Sequence, residues 1–202
     1  MDVIFFQALA IVFLAVFIFY ISDFRNKKGM LPLINKKIVS AVKYSYFIPV
    51  FIYLYTLLNL KTIFIHSYAG LIFTIGGTLL VAKAKLDLGK YHTWAGHILS
   101  STKIVTSGIY SLIRHPIYTG IYIFMIGGVV IGIKNNPFSL LFTTVILTLI
   151  IAIMVFLGFS AKKESNFLQE IFGEIYVKYK KEVHAFLPIR KYSIDKDIIV
   201  KY

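Results

Sequence analysis

The chain has no cysteine. Disulfides, thiolate metal sites and a cysteine nucleophile are therefore excluded, and the redox compartment is left open. No metal site is expected. Acids are scarce: nine Asp and Glu face 22 Lys and Arg, for a net charge of +13. No G-x-G-x-x-G follows a strand, so the soluble dinucleotide-binding route is missing. The first apolar run has no Lys or Arg before it and no small-residue cleavage pattern after it. It reads as a retained helix and not as a secretory leader. Internal repeats and low-complexity segments are also lacking.

What is present is apolar and aromatic. Hydrophobic residues make up 58% of the 202 and Phe, Tyr and Trp 16%, a composition suited to lipid-facing surfaces and interfacial belts. The basic residues fall in the gaps between apolar runs. An anionic membrane surface is thus the simpler partner, and nucleic acid is not expected. The length suggests one domain, residues 1–202.

Five runs are long enough to span a bilayer, at roughly 20 residues each. They cover about residues 3–22, 44–60, 63–82, 116–133 and 138–159. Pro49 predicts a kink in the second. Gly76-Gly77 allows close packing of the third, and Gly89 closes it. His66, near its start, reads as interfacial. Lys134-Asn135-Asn136-Pro137 is a tight turn, which makes the fourth and fifth runs an antiparallel hairpin. The first loop (Arg25, Lys27, Lys28, Lys36, Lys37, Lys43), the polar middle and the tail hold most of the basic charge. The alternate loops hold only Lys61 and Lys134. The positive-inside rule then places the crowded face in the cytoplasm and the N terminus outside. The predicted fold class is an all-α polytopic membrane protein of about five transmembrane helices.

The polar segment from Lys83 to Arg114 is too long to be a mere turn. Trp94 within it reads as an interface anchor. The segment ends in Arg114-His115-Pro116-Ile117-Tyr118-Thr119-Gly120, where basic and aromatic residues meet the fourth run. Ionisable groups at such a boundary raise a functional-site hypothesis; simple interfacial anchoring is the alternative. Pro116 suits the first turn of a helix and biases His115 away from helical backbone. After Ser160 the tail from Glu164 to Tyr179 carries Phe167, Leu168, Ile171, Phe172, Ile175 and Tyr176 at helical spacing. It reads as an amphipathic helix lying on the membrane or covering a pocket. Residues 189–202 form a charged tail.

Three ordered motifs carry a resemblance. Ile104-Val105 to Gly108 and Tyr110 is similar to L-V-x-x-G-x-Y. Arg114 to Gly120 is similar to R-H-P-x-Y-x-G. Glu164-Ser165 to Phe172-Gly173 and Tyr176 is similar to E-E-x-x-L-x-x-x-F-G-x-x-Y. The chain thereby resembles the isoprenylcysteine carboxyl methyltransferase and phospholipid methyltransferase superfamily over residues 87–188, with residues 1–86 as N-terminal spans. The resemblance implies S-adenosylmethionine as cofactor, with Glu164 at the acidic contact. Thr102, Lys103, Ile104, Val105, Tyr110, His115, Pro116, Ile117 and Tyr118 would complete its pocket. Arg114, His115 and Glu164 are the catalytic candidates. A lipidic or prenylated acceptor is implied at the cytoplasmic face, its carboxylate or amine taking the methyl group. Thr102 stands where the family has His, Ser165 where it has a second Glu, and Ser160 near where the prenylcysteine enzymes have a substrate-binding Arg. An NADPH-dependent sterol-type reductase and a non-catalytic membrane scaffold are the competing classes. The hairpin predicts one pocket joining the two ends of the fourth and fifth runs. The tail helix is expected to fold over it as a lid, burying Phe167, Leu168 and Phe172.

Overall fold

The computed structural model describes residues 2–22, 28–135 and 138–189. Arg25, Lys27, half of the turn at 134–137 and the charged tail from 190 fall outside them. Among the described residues six α-helices carry the fold: α1 (Val3–Ile21), α2 (Lys36–Ser45), α3 (Phe47–Leu58), α4 (Ile65–Leu88), α5 (Pro116–Gly132) and α6 (Leu140–Glu182). The architecture is all-α and multi-pass. Val3–Ile21, Lys36–Leu58, Ile65–Tyr91 and Leu140–Glu182 are long and apolar enough to cross a membrane. The fourth expected run, α5, has 17 residues. Its rise of about 26 Å is slightly short of a hydrocarbon core of about 30 Å.

Local chemistry sets the helix ends. Asp2 caps α1 by accepting from the Phe5 amide at 2.7 Å, satisfying one of the free first-turn donors. The division between α2 and α3 falls at Tyr46. Pro49 has no N–H to give the Ser45 carbonyl one turn back, which is the expected cause of a break there. Gly89 caps α4 with φ +56°. Pro116 opens α5 directly after the non-helical His115.

The core lies along α1, α4 and α5. In α1 the buried residues Phe6, Ala10, Leu14, Phe17 and Ile21 form one stripe, while Ile4 and Phe19 on the other side stay exposed. The Phe17 ring stacks on Phe124 of α5 with centroids 3.7 Å apart. α4 and α5 meet backbone to backbone. A Cβ on Gly77 would lie 2.6 Å from the Gly120 carbonyl, and one on Gly70 would lie 2.7 Å from that of Gly127. Gly76, beside Gly77, faces open space.

Three features depart from the sequence reading. A two-stranded antiparallel ribbon, β1 (Met30–Pro32) with β2 (His97–Leu99), ties the first loop to the polar middle. The fifth run and the tail are one continuous helix: α6 passes through Ser160 and Glu164 without a break. Its break comes at Gly173, where φ is +52° and ψ −130°, a region that only glycine enters cheaply. The chain turns back there. The tail therefore continues α6 instead of starting a new helix at Glu164; Phe167, Leu168 and Phe172 are half-buried, and Tyr176 is fully buried.

Candidate active site

A cavity of about 140 Å³ opens where the ends of α1 and α4, the 91–105 segment, the start of α5 and the middle of α6 converge. Thr102, Lys103, Ile104, Val105, Tyr110, Arg114, His115, Pro116, Ile117, Tyr118 and Glu164 all border it. Leu168 borders it too, whereas Phe167 and Phe172 do not. The sequence reading missed its remaining walls. Tyr20, Val42 and Tyr46 come from the N-terminal helices, and His92, Trp94 and His97 from the middle segment. Trp94 lines the cavity, its ring 6.4 Å from that of Tyr46 and beneath the Lys43 ammonium.

Each motif residue has a structural cause for its place. Gly108 has φ +59°, and a Cβ there would come within 2.3 Å of an Asp87 oxygen. Only glycine lets the chain turn so close to α4. The Asp87 carboxylate in return accepts from the Ile109 amide at 2.8 Å and from Lys83 at 2.6 Å. This fixes the turn that carries Tyr110. Burial, reinforced by the Glu164 charge, holds the Tyr110 hydroxyl far above its ordinary titration range. It remains a neutral phenol at any physiological pH. Its backbone carbonyl accepts from the Tyr179 hydroxyl at 2.6 Å.

The returning end of α6 pins the Arg-His pair. The amides of Arg114 and His115 donate to the carbonyls of His184 and Ala185, each at 2.9 Å. Arg114 Nε donates to Val183 O at 2.8 Å. Within the cavity the Glu164 carboxylate accepts from the Tyr118 hydroxyl, and its other oxygen lies 3.6 Å from His115 Nδ1. The His115 ring is nearly parallel to Tyr118, centroids 5.8 Å apart.

Ser165 is a buried hub behind this group. Its hydroxyl accepts from Arg114 Nη1 at 3.3 Å and from the Tyr176 phenol at 3.1 Å. His115 Nε2 lies 3.0 Å away. A hydroxyl has one proton and two lone pairs. With both lone pairs used, its one proton is the donor left for His115 Nε2. The replacement of a carboxylate by Ser165 was visible in the sequence; its three contacts were not.

The arrangement is a carboxylate and an arginine flanking a largely apolar enclosure. The Trp94 indole N–H and the Tyr46 hydroxyl, both on the cavity wall, are buried with no hydrogen-bond partner among the described residues. Buried polar groups are normally paired, so both invite a ligand.

Comparison with known proteins places residues 65–175 in a match to the phospholipid methyltransferase family model. The chain is 33% identical over 132 residues to a probable protein-S-isoprenylcysteine O-methyltransferase of Oryza sativa subsp. indica, covering 64% of this chain and 65% of that protein. It is 35% identical over 138 residues to the protein-S-isoprenylcysteine O-methyltransferase of Xenopus laevis, covering 66% of this chain and 44% of that protein. The Schizosaccharomyces pombe protein of that name is 26% identical over 132 residues, covering 62% and 50%. The matched region thus spans between about half and two thirds of these relatives.

Proposed function

The chain belongs to the phospholipid methyltransferase family, and from that premise we propose that it transfers a methyl group from S-adenosylmethionine to the carboxylate of a prenylated or similarly lipidic acceptor. The observation that carries this reading is the convergence of two segments about fifty residues apart. Arg114, His115 and Tyr118 on one side and Glu164 on the other border one cavity. The relatives' acceptor, an isoprenylcysteine, has both features such a site selects: a carboxylate and a long apolar chain.

The residues fit the cofactor by their chemistry. S-adenosylmethionine supplies a methyl group on a cationic sulfonium, which becomes a neutral thioether on transfer. Glu164, held by Tyr118, is the anionic contact for its polar part. Thr102, Lys103, Ile104, Val105, Tyr110, Pro116 and Ile117 supply the wall, and Trp94 offers an indole N–H to a heteroatom. Arg114 holds the acceptor anion, because a guanidinium fork matches a carboxylate. A carboxylate acceptor needs no base, so the protein's task is alignment and exclusion of water. His115, fixed by Ser165 on one nitrogen, faces Glu164 with the other. The basic ends of the helices support a cytoplasmic position for the cavity, with α5 as the fifth crossing and Lys61 and Lys134 outside.

Titration calorimetry in detergent tests the cofactor. S-adenosylhomocysteine should bind, and Glu164→Ala should weaken it by about 1–3 kcal/mol, the scale for a lost hydrogen bond to a charged group. Binding of NADPH with no binding of S-adenosylhomocysteine would move the chain to the reductase class and overturn the proposal.

A further inference from the structure

A second concavity backs onto the first. Arg114, Gln169, Val177, Lys180, Lys181 and His184 line an open groove between the two limbs of α6. Arg114 borders both the groove and the cavity. Among the described residues, no carboxylate lines the groove. Arg114 itself has no carboxylate at ion-pair distance among the described residues. Its two hydrogen bonds go to neutral oxygens, Val183 O and Ser165 Oγ. A guanidinium has five N–H donors, so three stay available on a half-buried cation.

Helix polarity accounts for part of this charge. Lys180 and Lys181 lie in the last turn of α6, where the helix end carries about half a negative charge. Three full cations exceed that several-fold, and Glu182, the acid of the same turn, is not among the residues that line the groove. The excess calls for an external anion.

The position of the groove says which one. Arg114 lies two residues before Pro116, the first residue of apolar α5, so the groove sits at headgroup depth. Within a few residues of its lining Arg114, His184 and Ala185, Leu112, Leu187 and Ile189 are exposed at 42%, 57% and 51%. Apolar side chains next to a basic groove match a lipid, which presents acyl chain and phosphate side by side. We propose that this groove binds the phosphate of an anionic membrane lipid, with Arg114 forked toward the phosphate oxygens and Lys180 and Lys181 beside it. The groove shares Arg114 with the methyl-transfer reading, whereas Lys180 and Lys181 line the groove and not the cavity.

The test uses the full chain in a neutral detergent, titrated with short-chain phosphatidylglycerol, short-chain phosphatidylcholine and glycerol 3-phosphate, and read by native mass spectrometry. Phosphatidylglycerol should bind more tightly than either of the others. The paired change Lys180→Gln with Lys181→Gln should weaken it about tenfold or more. The remote pair Lys36→Gln with Lys37→Gln should change it less than about twofold, and S-adenosylhomocysteine binding should be unaltered by either pair. Equal losses from the two pairs would reduce the groove to the diffuse attraction of a chain with net charge +13 and overturn the proposal. Glycerol 3-phosphate binding as tightly as the lipid would overturn the assignment to a membrane lipid.

Discussion

The two sides of α5 are built on opposite plans. Toward α4 the helix is sealed: Gly120 and Gly127 meet Gly77 and Gly70 with no room for a methyl group. Toward α6 it is open. A cavity of about 320 Å³, lined by Phe124, Met125, Gly128 and Ile150 among others, separates parts of the two helices. Beside the apolar contacts of Ile153 and Leu157 in the shared core, contact on that side is made by single polar bridges. Tyr122 donates to the Met154 carbonyl at 2.9 Å in mid-span, and Tyr118 and His115 meet Glu164 and Ser165 at the end. One face holds its shape by volume, the other by looser apolar packing and hydrogen bonds. The candidate site sits on the second face, where a ligand can enter without breaking the packed core.

If that contrast is right, the sealed face should fail to a change of volume. Gly77→Leu should cost more than the about 1–3 kcal/mol typical of overpacking, because its Cβ meets the Gly120 carbonyl and the Phe124 amide nitrogen, both at 2.6 Å. Backbone on both sides cannot step aside as a flexible side chain would. Gly76→Leu, one residue away in open space, should melt close to wild type. Similar melting temperatures for the two variants would erase the distinction between the faces.

The open face should instead fail to the loss of a hydroxyl. Ser165→Ala leaves the Tyr176 phenol and His115 Nε2 without the partner they share. An unsatisfied buried group costs about 1–3 kcal/mol. Ser165→Thr keeps the hydroxyl and should recover most of the loss. The two variants should also differ in turnover more than in cofactor affinity, since Ser165 touches Arg114 and His115 but does not line the cavity. If Ser165→Ala turns over like wild type, the hub supports the fold alone.

How much of this could be read from the sequence follows the same division. The apolar runs, the Gly89 stop and the glycine of the Gly76-Gly77 pair that packs are local signals, and they survive. The motif residues converge because Pro116 starts α5 directly after His115 and because α6 lies along α5, Met154 meeting Tyr122 and Glu164 meeting Tyr118. The continuity of α6 was hidden by polarity. Ser160 to Ser165 looks like a boundary, yet Ala161, Lys162, Lys163 and Glu164 are good helix formers that carry the helix through. The real break needed the backbone freedom of Gly173. The β1–β2 ribbon was illegible because three-residue strands carry no usable periodicity. The contributions of Tyr20, Val42 and Tyr46 were also out of reach, since nothing local to them indicates which segment packs above.

A milder change sharpens the picture in mid-span. Tyr122→Phe removes the hydroxyl that crosses to Met154 and keeps the ring beside Phe186. The expected loss is about 0.5–1.5 kcal/mol, the usual net worth of one hydrogen bond. Gly158 lies against that hydroxyl: a Cβ there would touch the Tyr122 oxygen at 3.4 Å, the near edge of ordinary contact. Gly158→Ala should therefore be better tolerated in the Tyr122→Phe background than in the wild-type chain. A double-mutant cycle of the two changes measures that coupling. Strict additivity would mean that the hydroxyl does not seat against α6 at this point.

The smallest effect belongs to the loop that closes the open face. His97 lies on β2 and lines the cavity. Burial, with smaller contributions from Lys36 and Lys43, lowers its proton affinity from the ordinary value of 6.5; a contact with the Ala95 backbone opposes this. Below that value the unfolded chain takes up a proton that the folded chain refuses. Stability is therefore full above about pH 6.5 and declines as pH falls through the lowered folded value. The ring is partly solvated, which keeps the effect small. His97→Gln removes this titration and leaves the other histidines in place. The melting temperature of wild type should thus fall more between about pH 7 and pH 5 than that of His97→Gln. Parallel declines would mean that the imidazole titrates alike in both states, and that the β1–β2 ribbon leaves this wall of the cavity open to water.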